Sequence, residues 1–128
     1  MDFIEITNNL KQKYYDAVLL KDNHRYANSI YLSGYCVELS LKYAIAKHMG
    51  WPRFYTEGKF NFLKVHDLDF LASLTGRDQI KSMPAWSIVN KWKETDRYVD
   101  PATSSLADAE KMLKAVKILV EDLCKISL

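Results

Sequence analysis

The segment from Arg25 to His48 places the strongest constraint on how this chain folds. It carries the longest uninterrupted helical pattern in the sequence, and its apolar residues fall on nearly every side when it is wound as a helix. A helix of that kind is normally packed by neighbours on most sides. We therefore predict a central helix over Arg25 to His48, with Asn23 as its N-cap and the pair Gly50 and Pro52 ending it.

One narrow stripe of this helix is polar. At about 100° per residue, Tyr31, Tyr35, Glu38 and Lys42 share one face. The two charges have two interpretations. They form an exposed pair four positions apart, worth about 0.3 to 0.5 kcal/mol, or they line a groove or a buried site, where an ion pair has a steep desolvation cost.

Helical periodicity recurs before and after the central segment. The first helix begins near Phe3 and ends near His24, and the last is an apolar seam preceded by Ser105 and Asp108, which resemble a capping box. The inward residues of the first helix are Phe3, Ile6, Leu10, Tyr14 and Ala17, and those of the last are Leu106, Ala109, Leu113, Val116, Val120 and Leu123.

Two shorter helices lie between them. One presents Leu68, Leu71 and Leu74 on one side, with Asp67 in its first turn and Gly76 past its end. The other starts at Pro84, carries Trp86, Val89 and Trp92 inward and closes before Pro101. From Trp51 to Val65 no periodicity holds, which predicts a long irregular connection. The pattern predicts an all-α, up-and-down bundle of about five helices.

Composition narrows the class of protein. The chain has 128 residues and is 48% hydrophobic, which fits one domain over residues 1–128. A net charge of +2 gives no global footprint of a dedicated nucleic-acid binder, although a local basic patch is compatible with it. With no basic signal segment and no long apolar run, we expect a cytoplasmic protein with no membrane contact. Cys36 and Cys124 are expected to be buried free thiols, without a metal or cofactor.

Three motifs in order resemble the HEPN family of small helical domains. They are A-x3-Y-x3-Y-x2-E-x3-K from Ala27 to Lys42, the His-Asp-Leu helix start at His66, and W-x4-R-Y from Trp92 to Tyr98. The resemblance covers about residues 14–123. It implies a HEPN-like bundle that forms a homodimer, often paired with a nucleotidyltransferase or an antitoxin partner.

The resemblance also implies a groove built from several helices. The residues that match its polar positions, or that would line such a groove, are Tyr35, Glu38, Lys42, His66, Asp67, Trp92, Arg97 and Tyr98. The nuclease branch of the family carries a histidine four to six positions after the arginine. In this chain Arg97 is followed by Tyr98 and then by no histidine, so a group able to exchange a proton near neutral pH is missing there.

Three functional hypotheses follow. The leading one is a non-catalytic module that binds a nucleotide, another phosphate-bearing ligand or a partner nucleotidyltransferase, in a toxin–antitoxin or defence-type pair. The alternative is an atypical metal-independent endoribonuclease acting on RNA, with Arg97 steadying the phosphate and His66 as general base. A third is a protein that associates through the seam from Leu106 to Leu123, although that seam is better suited to the core.

Overall fold

The computed structural model describes residues 1–128, and all of its regular elements are helices. Its α-helices are α1 (Phe3–Asp22), α2 (Tyr26–Met49), α3 (Leu68–Ser73), α4 (Pro84–Val89) and α5 (Leu106–Cys124). Four 3₁₀ segments connect them: Gly58–Leu63, Asp78–Ser82, Glu94–Tyr98 and Pro101–Thr103. The only extended pairing is an isolated bridge between Asp2 and Arg53. The all-α prediction with about five helices is confirmed.

The central position of α2 is confirmed as well. Thirteen of its residues are buried, and they include both charges of the polar stripe. α1 and α5 make its most extensive contacts, and the shorter α3 also packs against it. The result is one hydrophobic cluster of 26 buried residues. No helix combines the length and apolar character needed to cross a membrane.

The predicted cap at Asn23 is wrong. Its side-chain amide donates to the Leu19 carbonyl oxygen at 2.8 Å, and its backbone N–H donates to the same oxygen at 3.1 Å. Asn23 therefore ends α1 by satisfying carbonyls that have no partner within the helix. α2 begins at Tyr26 with no side-chain cap and ends at Gly50, as predicted. Gly50 adopts the left-handed conformation there.

The fourth helix is shorter than predicted. α4 stops at Val89, and Trp92 lies in the connection that follows, yet its side chain is buried. Lys93 is extended, and its N–H donates to the Asp96 carboxylate at 2.9 Å, which starts the segment Glu94–Tyr98. Their spacing of three predicted that Trp86, Val89 and Trp92 all face inward. All three are buried, but Trp92 reaches the core from a turn after Val89 and not from a helix.

The connection from Trp51 to Val65 contains no α-helix, but it is less irregular than predicted, because it includes the 3₁₀ segment Gly58–Leu63 and is anchored to the core. Phe54 is 2% exposed, and its N–H donates to the Met1 carbonyl oxygen at 2.8 Å. Trp51 packs edge-on against Phe60, with ring centroids 4.7 Å apart. The seam of α5 is core, and Ser105 with Asp108 forms the expected capping box. The prediction that Leu106 faces inward is wrong, because it lies in the first turn of α5 and is 45% exposed.

Both cysteines are free and buried, as predicted. The Cys36 thiol donates to the Leu10 carbonyl oxygen at 3.4 Å. Burial raises the pKa of Cys36 to about 12 and that of Cys124 to about 11. The thiolate is the nucleophile. Both cysteines should therefore react slowly, because they stay protonated and because burial keeps reagents away from them.

The thiols should therefore react slowly in the native protein. At pH 8 we expect Ellman's reagent to modify Cys36 and Cys124 at least about 100-fold more slowly than an unperturbed thiol, and both should react at once in denaturant. A Ser127→Cys variant supplies an exposed thiol in the same chain as control. Fast labelling of either natural cysteine in the folded protein would contradict the burial.

Candidate ligand-binding site around His66

Glu38 is a buried carboxylate in the middle of α2. Its side chain is 5% exposed, and its two oxygens have different partners. Oε2 lies 3.2 Å from Lys42 Nζ, and Oε1 lies 2.7 Å from His66 Nδ1. The exposed-pair interpretation of the stripe is therefore wrong, because both side chains are buried.

Lys42 is buried and paired with Glu38. Its side chain is 10% exposed, its ammonium pairs with Glu38, and the Phe54 ring centroid lies 5.7 Å from Nζ. The aliphatic stem is thereby packed and the charge compensated. Lys42 is not among the residues that line the cleft beside His66.

His66 connects the buried cluster to the surface. It lies two residues before the start of α3, and its side chain is 45% exposed. While Nδ1 contacts Glu38, Nε2 lies 3.0 Å from Glu94 Oε2 on the segment Glu94–Tyr98. The imidazole therefore stands between a buried and a half-exposed carboxylate. No group of three or more His, Cys, Asp or Glu side chains is arranged to hold a metal ion.

An aromatic wall stands beside His66. Trp92 donates its indole N–H to the Tyr31 carbonyl oxygen at 2.9 Å and meets the Tyr35 ring edge-on at 4.9 Å between centroids. The indole approaches α2 at Gly34, where a Cβ atom would overlap it. Tyr35 also packs edge-on to His66, with centroids 6.2 Å apart. Gly34 thus allows the contact that brings the residues after α4 to the site.

The two tyrosines of the wall are hydrogen-bonded to each other. The hydroxyl oxygens of Tyr31 and Tyr35 lie 2.8 Å apart. Burial, followed by this hydrogen bond and then by the nearby charges of Glu38 and Glu94, raises the pKa of Tyr35. Tyr35 therefore remains a neutral phenol at any physiological pH.

A cleft of about 390 Å³ opens in front of His66. It lies between the start of α3 and the residues that follow α4. Its lining consists of His66, Asp67, Leu68, Asp69, Asn90, Trp92, Lys93, Glu94 and Thr95. The cleft thus combines one aromatic wall with carboxylate and amide acceptors, and its formal charge is more negative than positive.

Asp67 has a structural role at the rim of this cleft. It is the N-cap of α3, and its Oδ1 accepts the Phe70 N–H at 3.1 Å. A cap of this kind is worth about 1 kcal/mol. One carboxylate oxygen is used in the cap, and the residue as a whole is exposed.

Arg97 and Tyr98 form a separate exposed pair. The guanidinium carbon lies 4.9 Å from the Tyr98 ring centroid, and Tyr98 is 76% exposed. The hydroxyls of Tyr98 and Tyr31 raise the pKa of the Arg97 guanidinium. Arg97 makes no ion pair with a carboxylate. The pair adjoins the aromatic wall through Tyr31 but does not line the cleft.

The sequence-predicted residues therefore divide into two groups. Tyr35, Glu38, Lys42, His66 and Trp92 form one connected cluster, with Asp67 at its rim, while Arg97 and Tyr98 lie on the adjoining surface. Among the site residues that the sequence did not indicate, Glu94 makes the most specific contact. Glu94 lies beyond the end of α4, so no helical periodicity indicated where its side chain would lie. Tyr31, in contrast, was already identified as part of the polar stripe.

No protein-family model, curated protein or solved structure matches this chain. The resemblance to the HEPN family stays a prediction from the three motifs. The contacts around His66 and Arg97 are features of this chain itself, and the function proposed below is argued from them.

The buried cluster makes stability depend on Glu38. In Glu38→Ala, Lys42 loses its only carboxylate while remaining buried, so the free energy of unfolding should fall by about 3 to 5 kcal/mol. Urea denaturation followed by circular dichroism measures it. Glu110→Ala, at an exposed position on α5, should change stability by less than about 0.5 kcal/mol.

The double variant Glu38→Leu with Lys42→Met removes both charges together. It should recover most of the lost stability, because an apolar pair of similar volume often replaces a buried ion pair without loss. A single variant Glu38→Ala that is as stable as the wild type would contradict the buried arrangement.

Proposed function

We propose that this chain is a non-catalytic binding module of HEPN type that takes a nucleotide or another phosphate-bearing ligand. Binding uses the Arg97–Tyr98 pair together with the cleft beside His66. The observation that carries the proposal is the state of Arg97, which is exposed and free of any carboxylate, whereas Lys42 and His66 already contact Glu38.

Arg97 suits the phosphate. A guanidinium offers parallel N–H donors that match two phosphate oxygens, and such charge-assisted hydrogen bonds are among the strongest in proteins. Tyr98 presents an almost free ring next to it. A nucleobase stacked on an aromatic side chain gains about 1 to 3 kcal/mol. The pair therefore offers one contact for each end of a nucleotide.

The cleft suits the neutral parts of the same ligand. Carboxylate and amide oxygens of Asp67, Asn90 and Glu94 accept hydrogen bonds from sugar hydroxyls and base amino groups. Lys93 adds one cation at the edge. A concave site with an aromatic wall and a few polar groups is the usual form of a small-molecule site.

Catalysis is not part of the leading proposal because the candidate acid–base groups are occupied. His66 has a carboxylate on each ring nitrogen, and Lys42 is buried against Glu38. A general base needs a free nitrogen within reach of the proton that it removes.

The proposal extends to a biological setting through the resemblance. A homodimer in the cytoplasm, paired with a nucleotidyltransferase or antitoxin in a toxin–antitoxin or defence-type system, is the setting that we propose for this module. Co-purification with the product of the neighbouring gene tests this part independently of nucleotide binding.

Isothermal titration with ADP and ATP tests the ligand. We expect binding by the wild type and a loss of affinity of at least about tenfold in Arg97→Ala, because a charge-assisted contact to phosphate is removed. Arg53→Ala removes an exposed arginine of another surface and should leave affinity unchanged. If the wild type binds neither nucleotide, the proposed ligand is wrong.

One observation favours the endoribonuclease as a second candidate. Buried Glu38 holds Nδ1 of His66, so the ring is oriented with Nε2 on the side of the cleft. A carboxylate that orients an imidazole in this way is a recurring device of general-base catalysis. In the structure Nε2 contacts Glu94, so an active enzyme would have to displace that carboxylate.

Expression in a bacterial host separates the two candidates. If the chain is a nuclease, the wild type should slow growth and cleave RNA, and His66→Ala should lower the cleavage rate at least about 100-fold. His24→Ala changes an exposed histidine of another surface and should behave as the wild type. Equal growth and intact RNA in all three cultures would eliminate the nuclease.

A further inference from the structure

His66 joins a buried carboxylate on α2 to a half-exposed carboxylate on the segment Glu94–Tyr98. We propose that this histidine is a proton-operated latch: the protonated ring holds the segment Glu94–Tyr98 against α2, and loss of one proton releases it. The latch would regulate the site described above, since Arg97 and Tyr98 belong to the same segment.

The number of protons on the ring carries the inference. The distances are 2.7 Å from Nδ1 to Glu38 Oε1 and 3.0 Å from Nε2 to Glu94 Oε2. An ionised carboxylate only accepts hydrogen bonds, and a neutral imidazole has one N–H to donate. Both contacts are hydrogen bonds only when both nitrogens carry protons. The closed arrangement is therefore that of the imidazolium.

When one proton leaves, the contact with Glu94 is the one that breaks. Glu38 is 5% exposed, so losing the His66 donor would leave its Oε1 in a nearly dry setting. Glu94 is 39% exposed, and water can replace the lost donor there. The remaining proton thus stays on Nδ1, and the lone pair of Nε2 then faces the Glu94 carboxylate, which is unfavourable.

The charges around the ring act in the same direction. Glu38, Lys42 and the neutral phenol of Tyr35 face it from α2, and Asp67 and Asp69 lie at the start of α3. Lys93 and Glu94 approach from the other side of the cleft. Four carboxylates then stand against two lysines once the imidazole is neutral. Release of Glu94 into solvent relieves that excess of negative charge.

Trp92 limits how far the release extends. Its side chain is 5% exposed, it donates to the Tyr31 carbonyl oxygen, and it packs where α2 has Gly34. Movement therefore begins after Trp92 and includes Arg97 and Tyr98. Because the closed arrangement needs a proton on both ring nitrogens, acidic pH favours the closed latch and rising pH opens it.

Amide hydrogen exchange in the full-length, ligand-free protein tests the latch. Protection factors, which are corrected for the intrinsic effect of pH on exchange, should fall at least about tenfold for Asp96 and Val99 between pH 5 and pH 8. Their N–H groups hydrogen-bond to the Lys93 and Asp96 carbonyl oxygens at 2.9 and 3.0 Å.

Three variants make the test specific. Glu94→Ala should show low protection at both pH values, and His66→Gln should lose the pH dependence. His24→Gln, on another surface, should respond as the wild type. Because Glu94 is 39% exposed, its removal leaves the core intact and keeps the test usable if His66→Gln is unstable. Protection that does not change with pH in the wild type, or that still changes in Glu94→Ala, would overturn the latch.

The hypothesis of the latch and the hypothesis of the ligand can be rejected independently. The exchange measurement uses no nucleotide, so a pH response without ADP or ATP binding would support the latch and remove the ligand. Binding of either nucleotide without a pH response in the segment Glu94–Tyr98 would support the ligand and remove the latch.

Discussion

The buried carboxylate of Glu38 sets the arrangement of this molecule around its centre. A charge that is 5% exposed on the most enclosed helix must find partners inside the protein. Lys42 supplies one from the next turn of α2, and His66 supplies the other from the start of α3. The position of α3 and the cleft in front of it are thus tied to one side chain of α2.

Trp92 makes a second, apolar connection to the same helix. Its indole lies where α2 has no Cβ, and its N–H satisfies a carbonyl of that helix. The residues that follow are thereby delivered to the cleft, which places Glu94 against His66. Polar and apolar contacts with α2 converge on one side of the bundle, and this convergence is the strongest reason to place a function there.

The long helices could be predicted from the sequence because their signals are local. Periodicity identified α1, α2 and α5, and Gly50 ended α2 as its conformational freedom requires. The three motifs predicted that Glu38, Lys42 and His66 lie together, whereas periodicity alone favoured an exposed pair of Glu38 and Lys42. Asn23 was wrongly assigned as the N-cap of α2, because an asparagine side chain can either accept from a following N–H or donate to a preceding carbonyl oxygen. The contact of Glu94 with His66 could not be predicted, because it depends on a turn after Val89 that no sequence periodicity indicates.

The connection between α2 and α3 also bears on how this chain tolerates change. Phe54 closes over the ammonium of Lys42 and is held by the backbone of Met1, whereas Gly58 and Lys59 lie on the outside. Lengthening a surface loop costs little, because closure entropy grows only with the logarithm of its length. Extra residues can therefore be accommodated around Gly58 and Lys59. The part around Phe54 covers the ion pair of Lys42 and Glu38, so we expect it to tolerate no insertion.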